Sequence, residues 1–282
     1  MIIYKEYTAF QLKTFGAITM FLDHAYKICF FWIVSGLSVW LHLGEEICYN
    51  IVTLLFGITS MSFFIFAFFC AESCRYTKHR FRYLRNLLVF AVLSEIPFQY
   101  LVDTIEGETL KLQFGFTNVL FTLLLGTCAC FAYEEMKKRG KGWIGLLAAV
   151  LCAGIAWVLH TDYDMYGAMA VFACYFFREK KQKFTALGII IFLLYGIRIP
   201  AEDILSYGFD LYMLPSYFIK LFFCLGTILV LQTYHGVKGK GMKYFFYLFY
   251  PFIFHCWSSF MRCFWPNPFL LLTFSQKMGY TI

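Results

Sequence analysis

Charge is scarce in this chain. Asp, Glu, Lys and Arg make up 15% of its 282 residues, where a soluble domain carries roughly 25%. Set against 61% hydrophobic residues, that scarcity argues against a soluble protein. Proline is rare as well, at six residues, and no Gly- or Pro-rich linker or low-complexity stretch divides the chain. No loop is long enough to fold alone, so residues 1–282 read as one membrane domain. There is no CxxC, and the 11 cysteines are an odd number, most of them scattered singly through apolar stretches. Cys70 and Cys74 stand one helical turn apart without a second ligand pair. No metal is therefore expected, and the thiols read as small buried hydrophobes. No basic region runs beyond about a dozen residues or interleaves with a soluble fold, which argues against a nucleic-acid partner. Residues 10–33 are too long for the apolar core of a cleavable signal and contain Asp23, His24 and Lys27.

What the chain does have is apolar sequence in nine stretches, each about long enough to cross a bilayer: 10–33, 51–70, 86–102, 114–133, 143–160, 165–177, 184–199, 212–234 and 244–262. The sixth is short for a hydrocarbon core of about 30 Å. The connections alternate in charge. Basic residues crowd 71–85, 134–142, 178–183 and 235–243, whereas Glu45, Glu46, Asp103, Glu106, Glu108, Asp162, Asp164, Glu202, Asp203 and Asp210 occupy the others. Short basic loops stay in the cytoplasm. The pattern predicts an all-α, polytopic membrane protein of about nine transmembrane helices, with its N-terminus in and its C-terminus out. The net charge of +7 then reflects topology and contact with the lipid bilayer. Ser35–Leu43 is apolar, is preceded by Trp32 and contains Trp40, as suits a segment lying along the outer interface. Aromatics, with 36 Phe and 20 Tyr, are expected mainly in lipid-facing packing and interfacial belts.

An ionisable side chain at the bilayer centre costs at least ~2.5 kcal/mol, so each one calls for a partner or a function. Asp23 and Lys27 are four apart with the acid first, a favourable helical pair. His24 lies about 100° around the helix from Asp23; a base at this position calls for an orienting carboxylate from another helix. Glu95, two residues before Pro97 in Ser94-Glu95-Ile96-Pro97, is the expected source, since the proline frees backbone carbonyls beside it. His255, Ser258, Ser259 and Arg262 form a polar stripe on the last span, and Asn118 shares a face with Thr122. The segment Cys70–Arg85, if helical, aligns Glu72, Arg75, His79 and Arg82 on one face. Its five cations and interleaved Tyr76, Phe81 and Tyr83 suit a polyphosphate beside a stacked base, or simply lipid head groups.

These residues carry a resemblance. The order Leu12-Lys13, Asp23-His24, Ala71-Glu72 with its basic run, Ser94-Glu95-Ile96-Pro97-Phe98, Asn118 through Gly126, Asp164-Met165-Tyr166-Gly167 and Tyr247-Leu248-Phe249-Tyr250-Pro251 resembles the TraX family over nearly the whole chain. The resemblance implies an integral membrane protein akin to the enzyme that acetylates the N-terminus of conjugative pilin. It also implies kinship with transmembrane acyltransferases that use cytosolic acyl-CoA to modify acceptors on the far side. Ser73 stands where the family usually has Gly. His255 follows Pro251 by four residues rather than two, which turns a helical side chain by about 200°.

The sequence therefore predicts a membrane-embedded acyltransferase with acetyl-CoA as donor and no metal. His24 is its expected base, oriented by Glu95 or, second to it, Asp23; the alternative is His255 as a transient acyl carrier. Lys13, Glu72, Arg75, Arg82 and Arg85 are the expected donor site, and Asn118, Asp164 and Tyr166 the acceptor site. The acceptor is an unidentified peptide or glycan at the outer face of a cell membrane. The rival reading is a proton-coupled transporter or lipid flippase in which Asp23, His24 and Glu95 relay protons.

Overall fold

The computed structural model describes residues 6–106, 116–240 and 243–264. Lys5, Glu108 and the side chains of Asp103, Glu106, Lys243 and Arg262 lie outside the described residues. Among the described residues the chain is helical, with no strand and a single bridge between Tyr7 and Tyr234. The elements are α1 (Ala9–Leu41), α2 (Glu45–Phe56), α3 (Ser62–Tyr76), α4 (Arg80–Glu106), α5 (Val119–Lys138) and α6 (Gly142–Val158), followed by α7 (Asp164–Phe176), α8 (Lys180–Ile191), α9 (Ile199–Tyr207), α10 (Leu214–Gln232) and α11 (Lys243–Phe264).

Four stretches, Glu45–Tyr76, Val119–Lys138, Lys180–Tyr207 and Leu211–Gln232, are long and apolar enough to cross a membrane, and a fifth if the bent α1 is taken as one span. α1 starts where its sequence directs. The Thr8 hydroxyl accepts from Gln11 N–H while the Gln11 side chain accepts from Thr8 N–H, a reciprocal cap. It then bends by 64° between Phe30 and Ile33, leaving Val39 and Trp40 exposed. α2 and α3 run on through the 3-10 turn Gly57–Met61. Glycine is required at 57 because a Cβ there would sit 2.2 Å from the Phe223 ring, so α10 packs directly on this turn.

α7 lies inside the bundle, as α3 does. Nine of its 13 residues are buried, which explains why the sixth apolar stretch can be short: protein surrounds it. The outer helices show apolar side chains outward instead, Leu147, Val150, Leu151 and Val158 on α6 and Phe218, Phe222 and Leu229 on α10. Such contiguous apolar faces are what a bilayer covers. Cys48, Cys70, Cys74, Cys130, Cys174 and Cys224 are buried and free, while Cys29 and Cys256 are exposed.

Two sequence expectations fail here. The segment 70–85 is not one helix. α3 ends at Tyr76 and α4 starts at Arg80, so Glu72 and Arg75 belong to one helix and Arg82 and Arg85 to another. The fourth apolar stretch turns helical only at Val119, because Asn118 is the cap of α5: its side-chain oxygen accepts from Leu120 N–H at 3.0 Å.

Candidate functional site

A cavity of about 820 Å³ is lined by residues of α1 to α5 and of α9 to α11. Its wall includes Asp162 and Tyr163 from the α6–α7 connection, the end of α9 at Ser206 and Tyr207, and the exposed Gly208–Asp210 of the connection between α9 and α10. The connections that line it are therefore the acidic ones.

α1 supplies the chemistry. Asp23 binds Lys27 Nζ at 2.8 Å through Oδ2 and receives the Thr59 hydroxyl at 2.9 Å through Oδ1. The i, i+4 pair anticipated from sequence is thus completed by a threonine of the 3-10 turn. His24 Nδ1 lies 2.8 Å from the Met20 carbonyl oxygen. A carbonyl only accepts, so Nδ1 carries the proton and Nε2 keeps its lone pair. Asp23 Oδ2 is 3.9 Å from Nδ1, too far for a hydrogen bond but close enough to stabilise an imidazolium. The ring packs edge-on against Phe254 at 4.7 Å.

Glu95 does not orient His24 in this geometry. Its carboxylate is taken up by the start of α5: Oε1 accepts from Thr117 N–H at 2.8 Å, the Thr117 hydroxyl at 2.9 Å and Gln99 at 2.8 Å, while Oε2 accepts from Asn118. An acid at a helix N-terminus meets unpaired N–H groups and the positive end of the dipole. The frame extends further. Thr117 O accepts from Asp162 N–H at 2.7 Å, Thr122 Oγ1 binds Thr161 Oγ1 and the Asp162 carbonyl, and Asp164 pairs with Arg198. Tyr166 lies under the Arg198 guanidinium at 5.6 Å. A Cβ on Gly167 would meet Thr122 and Tyr163 at 2.5 and 2.7 Å.

Asn118, Asp164 and Tyr166, expected to bind the acceptor, are not part of the cavity wall. Asn118 instead holds Glu95 and caps α5, while Asp164 and Tyr166 engage Arg198 where α7 leaves the α6–α7 turn. That turn is strained: His160, Tyr163 and Asp164 all have positive φ (48°, 63° and 43°), a region non-glycine residues rarely occupy and one that clusters at functional sites. The clamped turn presents Asp162 to Lys27 and Asp23, with Tyr163 stacked on Phe63 at 3.8 Å. Burial pushes the Asp162 carboxyl up to about 7 against the pull of Lys27. The folded state thus holds this proton more tightly than the unfolded chain, and stability falls as pH rises from about 4 to about 7. Asp162→Asn cannot ionise, so its melting temperature should gain on wild type between pH 5 and pH 8. Parallel pH profiles for the two proteins would show that Asp162 ionises normally.

The donor-site residues also divide. Arg75 is engaged internally: Nη1 donates to Glu72 at 2.7 Å, and Nη2 donates to the carbonyls of Cys174, Tyr175 and Phe177 at 2.8, 2.8 and 3.2 Å. It closes the C-terminus of α7, where helix carbonyls lack partners. Glu72 is further held by Lys183 at 3.4 Å. Neither side chain is available to a polyphosphate. Arg82 and Arg85 remain exposed, and Lys13 is half-buried with Nζ 5.2 Å from the Phe69 ring centre. His255 is exposed and is not part of the cavity wall; α11 contributes Phe249, Tyr250 and Phe254. Ser258 is buried and donates to the His255 carbonyl at 3.1 Å, while Ser259 is exposed, so the expected stripe splits between two environments.

Sequence reading missed Thr59, Asp162, Lys220, Tyr26 and Tyr49. Lys220 was legible by the rule that singled out Asp23, being an ammonium inside an apolar stretch. The others became visible only once the helices were packed.

The family model described as TraX protein matches residues 9–257. The probable fimbrial assembly protein FimC, serogroup H1, of Dichelobacter nodosus is 26% identical over 256 residues, covering 87% of this chain and 92% of that protein. No solved structure matches. The matched segment contains every residue of the cavity wall, from Met20 on α1 to Phe254 on α11, and the chain belongs to the TraX family.

Proposed function

We propose that this protein is a multi-pass acyltransferase of the cell (inner or cytoplasmic) membrane. Its nine apolar stretches would cross the bilayer with the N-terminus inside and the C-terminus outside. It would move an acyl group, acetyl in the first place, from cytosolic acetyl-CoA to an acceptor amine or hydroxyl entering the cavity from the outer face. The orientation rests on the alternation of loop charge. A membrane-impermeant thiol reagent should label a cysteine engineered at Asp203 in intact cells and leave one at Lys181 unlabelled.

The observation that carries the reading is His24, a base with a free Nε2 on the wall of a largely apolar cavity. His24 takes the acceptor proton while the acceptor nitrogen or oxygen bonds to the thioester carbonyl carbon. The C–S bond then breaks, and the departing thiolate ends as the CoA thiol on taking up a proton. Asp23, fixed by Lys27 and Thr59, stabilises the imidazolium in between. Phe63, Phe66 and Phe254 on the wall limit the water that would hydrolyse the thioester.

The exposed Arg82 and Arg85 would hold the donor's phosphates, with Lys13 on α1 beside the path to His24. Lys13 lies 11 residues before His24, about 16 Å of helix, so the acyl group must ride on a long flexible arm. The relative is named as a probable fimbrial assembly protein, which favours a peptide amine as acceptor over a sugar hydroxyl. The test is purified protein with radiolabelled acetyl-CoA and an acceptor-bearing extract, in which label should move to acceptor with release of CoA. Substrate flux into sealed vesicles without thioester consumption would favour the transporter or flippase reading instead.

A further inference from the structure

The acyl-transfer reading leaves one cation of the cavity unused. Lys220 stands on α10 and lines the cavity with Tyr26 of α1 and Tyr49 of α2. Its electrostatic neighbours are Tyr49, Tyr26, Lys27 and Asp23. Among the described residues it forms no ion pair, whereas Lys27 has Asp23 at 2.8 Å.

The carboxylates of the cavity are engaged elsewhere. Asp23 serves Lys27 and Thr59. Glu202 pairs with Arg198 at 2.8 Å, Asp203 accepts from the Tyr217 hydroxyl at 2.9 Å, and Asp210 caps Tyr212 N–H at 2.9 Å. Asp162 keeps its proton up to about pH 7. An ammonium enclosed by apolar helices requires a counter-charge, and no carboxylate described in the cavity forms an ion pair with it. A ligand can. The site has one point charge and two phenols, with no guanidinium, which suits a singly charged carboxylate better than a phosphate.

We propose that Lys220, with the Tyr26 and Tyr49 hydroxyls, is a carboxylate subsite, and that the acceptor carries a carboxylate besides the group to be acylated. The second half of that statement rests on the acyl-transfer reading; the subsite itself does not. Tyr26 follows His24 by two residues, about 3 Å of helix rise and about 200° of turn, and both line the cavity, so an acceptor held here spans the cavity to reach the base.

The test uses thermal unfolding of the full-length protein in neutral detergent, with butanoate, butyl phosphate and butanol as probes. Butanoate should raise the melting temperature of wild type more than butanol does. Lys220→Met should bind butanoate roughly ten- to a hundredfold more weakly, as for loss of a charge-assisted hydrogen bond, with butanol unaffected. Lys220→Arg should retain part of the effect. Should Lys220→Met fail to fold, Tyr49→Phe, which keeps the charge, should still weaken butanoate several-fold. Equal butanoate response in wild type and Lys220→Met would overturn the subsite, and a stronger response to butyl phosphate would overturn its assignment to carboxylates. No outcome depends on acetyl-CoA. If butanoate binds through Lys220 but no CoA is ever released, the subsite stands and the acyl-transfer reading falls.

Discussion

His24→Gln is expected to lower acyl transfer by about 10²–10⁴-fold, the usual contribution of a positioned general base, while acetyl-CoA binding is unchanged. Glutamine preserves hydrogen-bonding capacity near Nε2 but cannot take a proton near neutrality. The rate of CoA release at saturating donor and acceptor is the measurement. Turnover close to wild type would reduce His24 to a ring packed on Phe254. A second substitution separates chemistry from scaffold. If Glu95 oriented the imidazole, Glu95→Gln and His24→Gln would act as a unit and the double variant would lose less than the product of the singles. The structure gives Glu95 the N-terminus of α5 instead. Glu95→Gln should therefore lower thermal stability, and its effect on rate should multiply with that of His24→Gln.

Arg75→Ala is expected to destabilise the fold by roughly 3–5 kcal/mol, the range for breaking a buried ion pair from one side. It removes the closer of the two cations that hold Glu72 and strips three carbonyls at the end of α7 of their donor. Arg75→Lys should restore only part, because a single ammonium cannot span the carboxylate and three carbonyls at once. Arg82→Ala, on an exposed side chain, should leave the melting temperature unchanged and weaken acetyl-CoA binding. Thermal unfolding in detergent beside equilibrium donor binding reads both. Wild-type stability in Arg75→Ala together with weaker donor binding would return Arg75 to the phosphate site that its place in the sequence suggested.

The two substitutions mark where the sequence stops being informative. Its composition and the length of its apolar stretches determined an all-helical, membrane-type chain. The order of its motifs pointed to the TraX family. Its local spacing located Asp23, His24 and Lys27, since an i, i+4 pair depends only on the pitch of one helix. The capping of α1 by Thr8 and Gln11 is local in the same sense.

What remained undetermined was every choice of partner between helices. Glu95 lies near mid-span and looks like a functional carboxylate, yet its partners Thr117 and Asn118 are 22 and 23 residues further along the chain. Arg75 sits in a basic run that reads as a phosphate site, yet three of its four acceptors are about a hundred residues away. Asp162 reads as an ordinary acidic loop residue until the strained turn, held by Thr117, Thr122 and Arg198, puts it on the cavity wall. A buried charge is satisfied by whichever donor the packing brings within about 3 Å. Sequence can name the charges that need satisfying, and only the arrangement of helices decides which are consumed in holding the bundle together and which, like His24 and Lys220, are left facing the cavity.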